Sequence, residues 1–170
     1  NIAGEHCSFV HFSDDMMKNE FRAREEAMRL TEPSILIGDL TIAAYEHGLE
    51  YNRELCAYLG KSMDAIKAAL QENCPEIKAA NGNASFVTFL DLSEYYGRIE
   101  EEVLSNPERY EGGQGVGVLS RFFGVRASVA MNDGTWFGSD WKEFVRFNYG
   151  TSRERALAAL SRIIDAVKAL

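Results

Sequence analysis

The sequence lacks the features that mark membrane, secreted and metal-binding proteins. No apolar run approaches the roughly 18 residues of a membrane span, and the chain does not open with a signal-peptide layout. Its three cysteines, Cys7, Cys56 and Cys74, are widely and irregularly spaced and form neither a CxxC pair nor a metal-ligand pattern. The sequence therefore predicts a cytoplasmic protein with reduced, buried cysteines and no metal site.

Basic residues are in the minority, with 18 Lys and Arg against 26 Asp and Glu, so the net charge is −8. This balance argues against nucleic acid or an anionic membrane as the main partner. Apolar residues make up 46% of the 170 residues, enough for a sizeable core. We expect one domain, or one domain with a piece of another.

Two familiar kinds of site are also incomplete. The glycine-rich stretch 112–117 lacks the Lys-Ser/Thr of a P-loop and does not match GxGxxG after a strand, so a plain connection is predicted there. A nucleophilic or acid–base site built on His11 has no second and third member in the sequence. A self-sufficient catalytic centre is therefore not expected.

Helical patterns dominate the first half of the chain. Ser13 is placed to cap a helix over 14–29. A longer helical element is predicted from about residue 39 to residue 73, because its apolar residues recur at spacings of three and four. Gly48 and Gly60 are weak points at which that helix could bend or break.

Strand patterns appear at four places: 7–12, 85–92, 126–131 and 144–148. Between the last two, residues 132–134 (Asn-Asp-Gly) suit a tight turn. A helix follows, with its start predicted by a Thr151/Glu154 capping box. Strands with flanking helices predict an α/β or α+β layer domain.

Arg146 is the most informative side chain. It lies between Val145 and Phe147 in a strand that otherwise suits burial. A guanidinium in such a place needs an anion, either a ligand carboxylate held bidentately or a nearby Asp or Glu in a structural salt bridge. The neighbouring Trp136, Phe137 and Trp141 suit either the wall of a pocket or the core, and the residues alone leave both alternatives open.

Three stretches resemble the class I/II aminotransferase family of pyridoxal-phosphate enzymes, and most closely its cystathionine β-lyase (C–S lyase) branch. They are Asn1-Ile2-Ala3-Gly4, the run from Ala130 to Gly138, and Phe144-Val145-Arg146-Phe147-Asn148. The resemblance implies that Arg146 receives the α-carboxylate of an amino-acid substrate, and that Asn132 and Gly134 belong to a substrate loop.

The resemblance also implies an architecture. Residues 1–45 would be the tail of the large cofactor-binding domain, and 46–170 the linker helix and the C-terminal small domain, an α/β fold with a small, mainly antiparallel sheet and flanking helices. The parent enzyme would bind pyridoxal 5′-phosphate and form a homodimer. The region 98–125 departs from the family pattern and is interpreted as an insertion. Arg121 within it and Arg126 directly after it could reach a substrate, but the alternative, solvated surface arginines, is favoured.

The lysine that holds the cofactor in this family is not expected in this chain. None of the six lysines follows Ser or Thr in the family's lysine context, and that lysine would lie just before Asn1. The chain is therefore interpreted as an inactive C-terminal part of an enzyme. A C–S lyase is favoured over an aminotransferase, and a non-enzymatic binding domain that shares the fold remains a third hypothesis.

Overall fold

The computed structural model describes residues 8–30, 34–82, 84–111 and 116–170. The chain forms two compact units, Asn1–Leu55 and Cys56–Leu170. The described part contains α1 Asp15–Ala27, α2 Ile35–His47, α3 Leu49–Asn73, β1 Lys78–Ala79, β2 Val87–Asp91, α4 Ser93–Ser105, α5 Val118–Ala127, β3 Asn132–Asp133, β4 Phe144–Asn148 and α6 Arg153–Lys168. None of these helices combines the length and apolar character needed to cross a bilayer.

The first unit begins differently from the prediction. Residues 8–12 form no strand, and Cys7 lies outside the described residues. Helix α1 is capped by Asp14 and not by Ser13, because the Asp14 carboxylate accepts a hydrogen bond from the Met16 N–H at 2.7 Å. The carboxylate also lies at the positive end of the helix, where a negative charge is favourable.

The long helical element predicted for residues 39–73 is two helices. The break falls at Gly48, between α2 and α3, and a Cβ there would lie 2.3 Å from the carbonyl oxygen of Ala44. Gly60 has open space around it, and α3 continues through it without interruption. The predicted weak point is therefore confirmed at Gly48 and wrong at Gly60.

The second unit contains a four-stranded sheet in the order β1-β2-β4-β3, with every neighbouring pair antiparallel. Strand β4 matches its predicted bounds, and β2 is a shorter version of the predicted 85–92. The strand predicted at 126–131 is wrong, because α5 continues to Ala127 and is capped by Ser128 in a left-handed conformation (φ 51°), and residues 128–131 do not join the sheet. Residues 132 and 133 form β3 instead of a tight turn.

The core lies between one face of the sheet and the helices. Leu90 of β2 and Val145 and Phe147 of β4 are buried on that face, together with apolar side chains of α3 to α6. Helix α5 packs against α4 and α6. Cys74 is buried in this core, as expected, whereas Cys56 is exposed.

Helix α6 begins one residue later than predicted. Its cap is Ser152, whose hydroxyl accepts from the Arg155 N–H, and not Thr151. The predicted architecture, a small antiparallel sheet with flanking helices in an α/β fold, is confirmed. The second face of the sheet is left half-covered, and this face carries Arg146.

Candidate functional site

Arg146 sits in the middle of the sheet on the face opposite the core. Antiparallel pairing places Phe89 of β2 beside it on one side and Asn132 of β3 on the other. Because side chains alternate along a strand, Val145 and Phe147 enter the core while Arg146 emerges on the second face, where it is half-buried.

Aromatic side chains surround Arg146 on this face. The Phe89 ring contacts those of Phe137 and Trp141, each at 5.2 Å between centroids, and Trp141 contacts Phe144 at 5.1 Å. The guanidinium carbon of Arg146 lies 5.8 Å from the centroid of the Phe137 ring. We call Phe89, Phe137, Trp141 and Phe144 the aromatic cluster. Phe137 and Trp141 are 44% and 43% exposed, which argues against the core alternative, and neither lines the cleft that opens beside Arg146.

Arg146 has no acidic partner in the described part of the chain. Its Nε is buried and makes no hydrogen bond, and no ion pair to Arg146 is formed there. The structural salt bridge that the sequence left open is thus not found among these residues. An unpaired buried donor on a permanently charged group is costly, which makes the position suited to an anionic ligand.

Arg126 shows what a structural arginine looks like in the same fold. Its guanidinium bonds the Glu102 carboxylate at 2.7 Å and the Tyr110 hydroxyl at 2.9 Å, and Tyr110 in turn donates to Glu102 at 2.8 Å. The hydrogen bonds from Tyr110 and Arg126 hold the pKa of Glu102 below its usual value. Arg126 is thus engaged in joining α4 to α5. Arg121, also suggested as a substrate contact, is half-buried on α5, and its Nε is likewise buried without a hydrogen bond, so what separates Arg146 from it is the cleft beside Arg146.

A cleft of about 260 Å³ opens beside Arg146, between the segment around β3, the end of β4 and the start of α6. Asn132, predicted as part of a substrate loop, lines this cleft and is half-buried. The full lining is Val129, Ala130, Met131, Asn132, Arg146, Phe147, Asn148, Thr151, Arg155, Ala156 and Ala159. No acidic residue is in this set, so the cleft suits an anion.

Gly134, the other predicted loop residue, is buried away from the cleft. A Cβ at this position would lie 1.8 Å from the carbonyl oxygen of Trp141 and 2.6 Å from that of Phe144. The glycine therefore allows two backbone segments to approach closely. It shapes the turn that carries Phe137 and Trp141 and leaves the ligand contact to other residues.

Asp133 is a residue that the sequence analysis did not single out. It is buried, and its carboxylate accepts from the Ser120 N–H at 3.2 Å, the Thr135 N–H at 3.1 Å and the Thr135 hydroxyl at 2.7 Å. It thus fixes the start of α5 and the 3₁₀ helix Gly134–Phe137 to the end of β3. The Asp-Gly-Thr sequence, a turn with a local side-chain cap, was the signal available.

None of the lysines is buried in this chain. All six, Lys18, Lys61, Lys67, Lys78, Lys142 and Lys168, are exposed or only half-buried. A lysine that forms a Schiff base with a cofactor needs a desolvated pocket. His11 and His47 are exposed, and no cluster in the described ranges could hold a metal ion.

Comparisons with known proteins give a curated lyase and several solved structures as relatives. Cystathionine beta-lyase PatB of Bacillus subtilis (strain 168) is 27% identical over 167 residues, which make up 98% of this chain and 39% of PatB. A PLP-bound putative aminotransferase from Clostridium difficile 630 has a TM-score of 0.81 and 22% identity, covering 98% of this chain and 38% of that one. Cystalysin from Treponema denticola, which contains pyridoxal 5′-phosphate, has a TM-score of 0.78 and 18% identity, covering 99% and 39%. No family model matches the chain.

The resemblance to the PLP-dependent C–S lyases and aminotransferases is confirmed. It rests on the sequence relative and, for the fold, on the solved structures. The chain spans about two fifths of the length of these relatives. The structural relatives hold pyridoxal phosphate, but the residues of this chain do not fit that cofactor by themselves, because no buried lysine is available to bind it.

Proposed function

We propose that this chain is the C-terminal part of a PLP-dependent C–S lyase, and that Arg146 binds the α-carboxylate of its amino-acid substrate. The observation that carries the proposal is the unpaired guanidinium on the second face of the sheet. Its Nε is buried without an acceptor, and the lining of the adjoining cleft contains no acidic side chain. A carboxylate would supply the missing charge with a planar pair of oxygens.

The contribution of this chain is to bind and orient. Arg146 would hold one end of the substrate, with Asn132 beside it in the register of the sheet as a further polar contact. Fixing the carboxylate limits how the rest of the substrate can lie, and such orientation is a large part of catalysis. The cofactor, which supplies the electron sink for the chemistry when it is bound, would be attached to a lysine outside this chain.

The domain organisation belongs to the same proposal. Residues 1–45 would be the tail of a large cofactor-binding domain, and 46–170 the linker helix and the small domain. The whole protein would form a homodimer and act on amino acids, and the isolated chain would be inactive. The similarity to PatB over 98% of the chain supports this placement.

The reaction type separates the leading proposal from its alternative, a class I/II aminotransferase. A C–S lyase is favoured because PatB, a curated relative, is a cystathionine beta-lyase. The Asn132-Asp133-Gly134 loop with Phe137-Gly138 points the same way. Both enzymes need the carboxylate contact of Arg146. The products distinguish them, because a lyase cleaves the Cβ–S bond of a β-thioether amino acid and with water releases a thiol, pyruvate and ammonia, whereas an aminotransferase passes the amino group to a 2-oxo acid.

The proposal is tested by replacing Arg146 with Met in the full-length protein. We expect kcat/KM for the amino-acid substrate to fall on the order of a hundredfold to a thousandfold. This corresponds to several kcal/mol of lost transition-state stabilisation, because charged hydrogen bonds are lost. Arg162→Met, at an exposed arginine of α6, is the matched control and should change little. An unchanged kcat/KM for Arg146→Met would remove the carboxylate assignment.

A further inference from the structure

We infer that Phe137 is a positioning residue for Arg146, holding the guanidinium through its ring so that the fork stays directed at a carboxylate. This inference rests on the proposed function, because it takes Arg146 as the carboxylate site. It adds a residue that touches no reacting atom but controls how well that site works.

The contact itself is the first support. The guanidinium carbon lies 5.8 Å from the centroid of the Phe137 ring, within the distance at which a cation is attracted by an aromatic face. The Arg146 side chain makes no ion pair with the described residues and its Nε makes no hydrogen bond, so no acidic side chain there competes for its orientation. The ring fixes the charged group without using any of the donors that a carboxylate needs.

The ring of Phe137 is itself held in place. It meets the Phe89 ring edge to face, at 5.2 Å and an interplanar angle of 88°. Phe89 lies directly across from Arg146 in the register of β2 and β4. The Phe137 ring contacts Phe89, and Phe89 is the cross-strand partner of Arg146. This arrangement fixes the ring relative to the guanidinium.

The backbone of the loop also presets the ring position. Gly134 is packed against the backbone of Trp141, where no Cβ fits. Gly138 has a φ of 134°, which side-chain-bearing residues rarely adopt. These two glycines flank the 3₁₀ turn that ends at Phe137, so the loop geometry places the ring beside Arg146.

Apolar packing alone does not explain the position well. Phe137 is 44% exposed, so the burial of its ring is incomplete. A ring over one face of a guanidinium excludes water there, and the interaction between the remaining donors and a carboxylate strengthens as local water is lost. If the residue were only a hydrophobic cover, leucine would serve as well, and this difference can be measured.

The experiment uses the full-length protein and compares inhibition by a substrate-like amino acid with inhibition by its carboxamide, which lacks the anionic carboxylate. Phe137→Leu should lower the preference for the acid about two- to fivefold, as expected for a cation–π contact at a partly exposed site. Phe137→Tyr keeps the ring and should retain most of that preference. Phe86→Leu is the matched control, since Phe86 is similarly exposed at 46% and lies outside the aromatic cluster.

A double-mutant cycle decides whether Phe137 acts through Arg146. In an Arg146→Met background, Phe137→Leu should have no further effect on the acid-over-amide preference. A loss that persists in that background, or a Phe137→Leu protein with unchanged preference, would overturn the inference while leaving Arg146 in place. If Arg146→Met alone leaves the preference intact, the proposed function fails first and the inference fails with it.

Thermal unfolding of each variant checks that it folds, and Phe137→Met takes the place of Phe137→Leu if leucine prevents folding.

Discussion

Arg126 and Arg146 are both partly buried arginines in the second unit, but their surroundings differ. Arg126 is paired with Glu102 and Tyr110, whereas Arg146 faces an aromatic ring and has no acidic partner in the described part of the chain. The strand pattern was enough to place Arg146 on β4. The strand pattern could not show which arginine has an acidic partner. Glu102 lies 44 residues before Arg146 in sequence, and the packing of α4 on α5 pairs it with Arg126 instead.

Asp133 gives a testable prediction about a single side chain. Asp133→Ala would leave the N–H groups of Ser120 and Thr135 without their buried acceptor, so the free energy of unfolding should fall by about 2 kcal/mol. Urea unfolding of the two proteins at neutral pH measures this difference. Asp140→Ala, at an exposed position in the neighbouring 3₁₀ helix, should stay within about 0.5 kcal/mol of the parent. Equal effects at the two positions would contradict the capping role.

Among the helices and strands, those with a strong periodic pattern could be predicted from the sequence. The prediction was wrong where a short strand borders a helix. Strand β4 was predicted with its observed bounds, since its alternation is set by one buried and one half-exposed face. Residues 126–131 were wrongly predicted as a strand because β-branched and apolar residues there also end helix α5 and lead into β3. Strand β3 has only two residues and is specified by its pairing with β4, which no local pattern reports.

The two glycines in the long helical element should respond in opposite ways to alanine. Gly60→Ala adds a Cβ into open space inside α3 and should raise the free energy of unfolding by about 0.5–1 kcal/mol, because alanine favours helix. Gly48→Ala places a Cβ 2.3 Å from a backbone oxygen, so the backbone must shift and stability should fall. Hydrogen exchange of the surrounding amides, with urea unfolding, measures both changes. Stabilisation at both positions would mean that the break at Gly48 is not sterically set.

For the whole molecule, the two units differ in how much apolar surface they cover. The second unit has an extensive core between the sheet and its helices. In the described residues of the first unit only Ile37 is buried, and large apolar side chains such as Ile35, at 91% exposure, and Leu36 face outward. Contiguous exposed apolar surface usually marks an interface. This contrast supports the proposal that residues 1–45 are the tail of a larger cofactor-binding domain, whose other residues would cover these side chains.

Labelling of lysines tests that proposal for the whole molecule. Pyridoxal phosphate is added, the adduct is reduced with borohydride, and the modified peptide is identified by mass spectrometry. In the full-length protein the label should fall on a lysine outside these 170 residues, because none of the six lysines here occupies the desolvated site that a Schiff base requires. The isolated chain should take up no specific label under the same conditions. Specific labelling of one of its own lysines, such as Lys67 or Lys142, would place the cofactor in this part of the protein. The assignment of Arg146 would then have to be judged against a different arrangement of cofactor and substrate.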